Sequence, residues 1–184
     1  MILTVGFCLL NAVTASDSQS EKSLNQQYES FKRAYFIQEI APLAQTEHQK
    51  YGILSSLTLA QACLESDFGQ SLLSAKYYNL FGVKAYGNAP KISLDTKEYE
   101  NGKLITIKGD FRVYQSWQES VEAHSQLFVN GVDWDPDKYQ SVLAAPDYLK
   151  AALAVQAAGY ATDLNYADKL IKLIEEYKLY DYDL

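Results

Sequence analysis

The chain has 184 residues, 48% hydrophobic and 21% charged, which suits a packed domain and excludes wholesale disorder. Its net charge of −7 repels phosphate backbones, so no nucleic-acid partner is expected. Two cysteines and two histidines, with no HExxH and no paired CxxC, give too few ligands for a disulfide framework or a zinc site; no metal or other cofactor is expected.

Ile2 to Leu10 form an apolar stretch too short to cross a bilayer, which takes ~20 apolar residues. Its length suits the apolar region of a signal peptide, with Val13-Thr14-Ala15 as a small-residue cleavage site. No Lys or Arg precedes it, the first basic residue being Lys22. Residues 1–15 therefore read as a signal peptide or a truncated membrane anchor. The expected localisation is secreted or cell-surface, with no stable membrane span. Residues 16–35 are polar and read as a linker or helix start, and residues 36–184 read as one domain, expected to be monomeric.

From Phe36 the pattern turns helical, with Ile37, Ile40, Leu43 and Ala44 at three- and four-residue steps. Pro42 predicts a kink or a restart, and Gly52 an end. Ser55-Ser56 are expected to cap a helix over Leu57 to Leu64 that is apolar on nearly every side and so belongs in the middle of the domain. Ile92 to Lys108 changes rhythm: Ile92 and Leu94 alternate with polar residues, and Asn101-Gly102 precedes Leu104 to Ile107. Asn-Gly between alternating runs is a strong hairpin signal. Ser116-Trp117-Gln118-Glu119 is a capping box for a helix to about Asn130. Helices over Asp147 to Ala158 and Asn165 to Tyr177 follow. The expected fold class is α+β, predominantly α, with one small hairpin.

Two carboxylates stand out. Glu65 ends the apolar helix beside Ala62, Cys63, Leu64 and Phe68. The negative end of the helix dipole and the apolar surroundings both disfavour its charge, and so raise its pKa toward that of a general acid. In the hairpin, a two-residue turn at Asn101-Gly102 pairs Glu100 with Lys103, Tyr99 with Leu104 and Glu98 with Ile105. Glu98 then shares a face with Ile92, Leu94, Ile105 and Ile107, where a lone carboxylate is anomalous unless that face looks into a cleft. An edge-strand charge that discourages aggregation is the structural alternative. Glu100, beside the tip, reads as a solvated turn residue. His124 falls on the inner face of its helix with Trp117, Val121 and Phe128, as a core histidine would. Asp133, Asp135 and Asp137 alternate around Trp134 without the glycine and terminal Glu of a calcium loop, and read as a plain loop.

Several blocks resemble the bacterial glucosaminidase domain family, glycoside hydrolase family 73. Leu59-Ala60-Gln61-Ala62-Cys63-Leu64-Glu65-Ser66 with Phe68-Gly69-Gln70-Ser71 is similar to the family's AQA-x-LES signature. Asn79-Leu80-Phe81-Gly82-Val83-Lys84 resembles its NLFGIK block, and Thr96-Lys97-Glu98-Tyr99 with Asn101-Gly102-Lys103 its hairpin. Phe111-Arg112-Val113-Tyr114 with Ser116 and Gly159-Tyr160-Ala161-Thr162-Asp163 with Asn165-Tyr166-Ala167 complete five blocks in order, over about Phe36 to Leu179. Phe68, Ala85 and Leu164 stand where Trp, Gly and Pro are common.

The resemblance implies a lysozyme-like fold and cleavage of peptidoglycan glycan strands at the β-1,4 bond after N-acetylglucosamine. It implies Glu65 as general acid, Glu98 as second carboxylate and Tyr160 as a supporting active-site tyrosine. Since an acidic domain is not drawn to an anionic wall by net charge, stacking and hydrogen bonding must bind the sugar, with Tyr77, Tyr78, Asn79, Phe81 and Tyr114 as candidates. Glu98 could activate water in an inverting mechanism or act in a retaining one, and the substrate's acetamido oxygen is a third possible nucleophile. A muramidase or lytic transglycosylase of the same fold and a non-catalytic wall-binding module are the rival readings.

Overall fold

The computed structural model describes residues 5–100 and 103–183, with side chains at 19–96 and 105–183. It divides into two compact units, Met1–Phe36 and Ile37–Leu184. The first unit is helical, formed by the start of α1 (Val5–Tyr51). Charges three residues apart support it, with Lys32 Nζ donating to Glu29 Oε1 at 3.0 Å. Among the described residues no helix is long and apolar enough to cross a membrane.

In the second unit α1 continues through Pro42 without the restart that was one of two expectations there, the other being a kink. Proline removes one backbone donor, but the stripe Ile37, Ile40, Ala41 and Ala44 is buried and holds this part of the helix in place. Helix α2 (Ser55–Ser66) is buried everywhere except Leu64 and Glu65, the central position its composition implies. Its N-terminus differs from expectation. Ser55 and Ser56 lie inside the first turn, and neither caps it. The cap comes from the far end of the chain, where the Asp183 carboxylate accepts from the Ser56 N–H at 2.7 Å and the Ser56 hydroxyl at 2.6 Å.

Helix α3 (Leu72–Tyr77) is capped by Ser71, whose hydroxyl oxygen accepts from the Ser74 N–H. It is too short to announce itself by periodicity. Strands β1 (Lys91–Glu100) and β2 (Lys103–Arg112) pair antiparallel with Glu98 opposite Ile105, Tyr99 opposite Leu104 and Glu100 opposite Lys103, the register inferred from Asn101-Gly102. Asn101 and Gly102, and the side chains of residues 97–104, lie outside the described residues. One face of the ribbon is polar and exposed, with the ion pairs Lys91–Asp110 at 2.6 Å and Lys108–Asp95 at 2.7 Å; the other, with Ile92, Leu94 and Thr96, is half-buried.

The hairpin base is fastened by Asn79. Its buried side-chain amide donates to the carbonyls of Val83 (2.9 Å) and Arg112 (2.8 Å), and its side-chain oxygen accepts from the Val83 N–H at 3.0 Å. Gly109 allows a close approach here: a Cβ would fall 2.7 Å from Lys84 Nζ, which lies 4.3 Å above the Phe111 ring.

Helix α4 (Trp117–Asn130) opens on the capping box. Ser116 Oγ accepts from the Glu119 N–H at 3.1 Å, and Glu119 reaches back to the Gln115 N–H, one residue before the cap. Short α5 (Gln140–Leu143), α6 (Tyr148–Ala157, capped by Asp147), α7 (Tyr166–Glu176) and a 3₁₀ turn over Leu179–Tyr182 complete the unit. Helices α6 and α7 and the final turn all pack on α2.

Asp183→Ala is expected to lower the unfolding free energy by about 1–2 kcal/mol, the worth of a charged N-cap. Urea denaturation measures it, and an unchanged midpoint would mean that α2 does not depend on this clasp.

Candidate active site

Helix α2 delivers Glu65 to its own C-terminal turn, the first exposed position of the helix. The chain turns sharply behind it. Asp67 and Phe68 both adopt left-handed backbone (φ 51° and 52°), followed by Gly69 at φ 76°. Two successive non-glycine residues there cost roughly 1–2 kcal/mol each. The turn is held by Phe68 N–H donating to the Cys63 carbonyl and Gly69 N–H donating to Ser66 Oγ at 2.7 Å. This backbone strain fixes where α2 stops, and therefore where its carboxylate sits.

Glu65 is reached by solvent, and it is also held. The Tyr166 hydroxyl, at the start of α7, donates to Glu65 Oε1 at 2.7 Å. Burial of the carboxyl among its neighbours raises its pKa above the ordinary glutamate value, against the opposing pull of the Tyr166 bond and the Lys169 charge. Lys169 also pairs with Asp163, whose other carboxylate oxygen accepts from the Asn165 N–H at 2.9 Å at the entry to α7. Burial and the Glu65 charge together push the Tyr166 phenol far up, so it is a fixed hydrogen-bond donor at any working pH.

Behind Glu65 stands a wall of rings. Tyr160 stacks on Tyr166 at 5.8 Å and on Phe128 at 6.0 Å, while Phe128 meets His124 at 4.8 Å and Tyr139 at 4.8 Å. His124 in turn stacks on Phe81 at 3.9 Å. Burial, then the Glu65 charge, raises the Tyr160 hydroxyl well above the usual tyrosine value, and a neutral phenol results. Low polarity around Glu65 is thus built from half-polar aromatic side chains, which can line a site open to water without leaving a purely apolar patch.

Of the candidates from sequence, Glu65 and Tyr160 lie together. Glu98 sits at a hairpin position of known backbone register, its side chain outside the described residues. Asn79, Phe81 and Tyr114 are buried, Asn79 in the hairpin lock and Phe81 against His124. Tyr78 is exposed at the left-handed cap of α3, with the partly exposed Tyr77 beside it. Sequence reasoning missed the roles of Tyr166, Gln61 and Lys169. Gln61 alone left a signal, as a polar residue on a helix otherwise committed to the core.

The chain belongs to the glucosaminidase family: the model described as mannosyl-glycoprotein endo-beta-N-acetylglucosaminidase matches residues 41–179. The exo-glucosaminidase LytG of Bacillus subtilis is 47% identical over 148 residues, which cover 80% of this chain and 52% of that protein. The peptidoglycan hydrolase FlgJ of Escherichia coli K12 is 39% identical over 149 residues, covering 78% and 46%. Among solved structures, the catalytic domain of the autolysin Auto from Listeria monocytogenes superposes with a TM-score of 0.77 at 37% identity, covering 83% of this chain and 88% of that one. The fold is therefore the lysozyme-like α+β fold of this family. The chain spans about half the length of the curated relatives it matches.

The raised Glu65 pKa carries a stability consequence. A carboxyl whose folded-state pKa lies above its unfolded value gives no penalty below the unfolded pKa, and destabilises increasingly as pH rises through the folded one. Glu65→Gln removes that ionisation while keeping an acceptor for Tyr166. The variant's Tm relative to the parent is expected to rise between pH 4 and pH 7, as thermal unfolding at both values measures. A gap that shrinks over this range would reverse the sign of the shift.

Proposed function

We propose that this protein is a peptidoglycan hydrolase that cleaves the β-1,4 bond after N-acetylglucosamine in cell-wall glycan strands, with Glu65 as general acid. The observation that carries this reading is a carboxyl open to solvent, raised in pKa by burial and oriented by the Tyr166 hydroxyl at 2.7 Å. The names of LytG, FlgJ and Auto support the substrate class.

In this reading the raised pKa favours the protonated form of Glu65, which donates to the glycosidic oxygen as positive charge develops on the sugar ring. Glu98, on the hairpin, is the second carboxylate and activates water on the opposite face. The tyrosines near Glu65 hold the polarity low, with Tyr160 as the supporting tyrosine. Tyr77 and Tyr78 offer ring faces for stacking, and Asn79, Phe81 and Tyr114, though buried, are the further candidates for shaping the sugar site. The protein works outside the cytoplasmic membrane, at the cell wall, as a monomer and without a cofactor.

The test is digestion of purified peptidoglycan by the parent and three variants, followed by borohydride reduction and mass spectrometry. Reduced glucosamine ends are expected from the parent and none from folded Glu65→Gln. Glu98→Gln should lose roughly 10²–10⁴-fold in rate, the range contributed by general acid–base groups. Glu100→Gln should lose little, since a charge beside the turn, read from the sequence as solvated, is worth about 1 kcal/mol at most. Reduced muramic acid would make the enzyme a muramidase, and anhydro-muramic ends a transglycosylase. Retained lysis by Glu65→Gln would overturn the acid assignment.

A further inference from the structure

The Tyr166–Glu65 bond is the last link of a longer chain that the proposed reaction does not itself require. Gln61, one turn before Glu65 on α2 and fully buried, donates through Nε2 to the Tyr166 hydroxyl oxygen at 3.1 Å. Its Oε1 lies 3.2 Å from Nε2 of His124 on α4, which is also buried. The imidazole is clamped by Phe81, stacked at 3.9 Å with an interplanar angle of 17°, and by the edge of Phe128. Three helices, α2, α4 and α7, thus meet in one line of polar atoms: His124, Gln61, Tyr166, Glu65.

Such a line can run in two directions. In the forward direction His124 Nε2–H donates to Gln61, Gln61 to Tyr166, and Tyr166 to Glu65 Oε1. In reverse, the Gln61 amide is flipped, Tyr166 donates to it, and Glu65 must supply a proton from Oε1. The deciding atom is His124 Nδ1, which is buried with no partner among the described residues. In the forward chain Nδ1 is a bare lone pair. In the reverse chain it is a buried N–H with nothing to bond, and an orphaned donor is the rarer and costlier arrangement. The forward direction wins. Burial also holds His124 neutral, its pKa lowered to about 3, so the ring does not gain a second proton at working pH.

The geometry points to His124 and Gln61 as positioning residues that fix the direction of the Tyr166 hydroxyl, reserve Oε1 of Glu65 as an acceptor, and so leave Oε2 as the oxygen that carries the transferable proton. The inference rests on Glu65 being the general acid. It gives a buried histidine and a buried glutamine a task beyond filling the core: a flexible carboxyl with two equivalent oxygens becomes one with a defined donor oxygen. Among the described residues, the groups facing Glu65 are Tyr166 and Lys169 from α7 and Tyr160 from the loop before it, so a change in the chain's direction reaches Glu65 through Tyr166.

Two measurements on the full chain test this. Nitrogen-15 NMR of the histidine ring is expected to show His124 as the neutral Nε2–H tautomer from pH 5 to pH 8. The Nδ1–H tautomer, or a titration within that range, overturns the proposal. For Gln61→Met, which keeps the volume and removes both polar atoms, kcat on peptidoglycan is expected to fall about tenfold with KM little changed, the loss expected for one oriented hydrogen bond. The alkaline limb of its pH–rate profile should move up by about half a unit to one unit, because Glu65 loses part of the bond that favours its charged form. A folded Gln61→Met protein with unchanged kcat and limb overturns the proposal. The tautomer measurement needs no variant and no activity. A parent inactive on peptidoglycan therefore sinks the proposed reaction, while the ring spectrum still judges the chain of hydrogen bonds.

Discussion

The burial of α2 on nearly every side is the constraint on which the rest of the structure depends. A helix surrounded by its own domain cannot rotate or slide, so a carboxylate one residue from its end has a fixed address. Each neighbour of α2 then contributes to that address. The Asp183 carboxylate clasps its first turn, the left-handed residues Asp67 and Phe68 end it, and α7 supplies the hydroxyl that meets Glu65. The strained turn costs free energy locally, and the packing of α6, α7 and the final 3₁₀ turn against α2 is what offsets it.

Electrostatics at the site follow from the same arrangement. Desolvation raises Glu65, while Tyr166 and Lys169 pull the other way, and desolvation prevails. The balance matters for a proton donor. Without the opposing groups the carboxyl's pKa would lie higher still, and without burial it would fall back toward the ordinary glutamate range near pH 4. Tyrosine is suited to setting such a balance, because a neutral phenol packs like a hydrocarbon on its face and bonds at its tip. That accounts for some of the 15 tyrosines in the chain: Tyr139, Tyr160 and Tyr166 stand in the wall behind Glu65, and Tyr114 is buried in the core.

Much of this was legible in the sequence, and what was not shares one physical reason. The central helix, the capping box at Ser116, the helices after Asp147 and Asn165, and the hairpin register all rest on interactions between residues a few positions apart, which leave periodic or turn signatures. The Asp183 clasp on Ser56 and the Tyr166 bond to Glu65 join residues more than a hundred positions apart, and no local pattern encodes them. His124 shows the middle case. Its spacing correctly placed it in the core, but spacing alone does not reveal that its ring edge faces Gln61. Pro42 is the converse, a local signal for a kink or a restart, where the buried stripe around it keeps the helix unbroken.

The central claim is that Glu65 carries a proton under conditions where an ordinary glutamate does not. Carbon-13 NMR of the Glu65 side-chain carboxyl, followed through a pH titration of the intact chain, tests it without any substrate. The account predicts a midpoint above the ordinary glutamate value, moving higher still in Tyr166→Phe, where the bond favouring the charged form is gone. A midpoint at or below the ordinary value in the parent would contradict it.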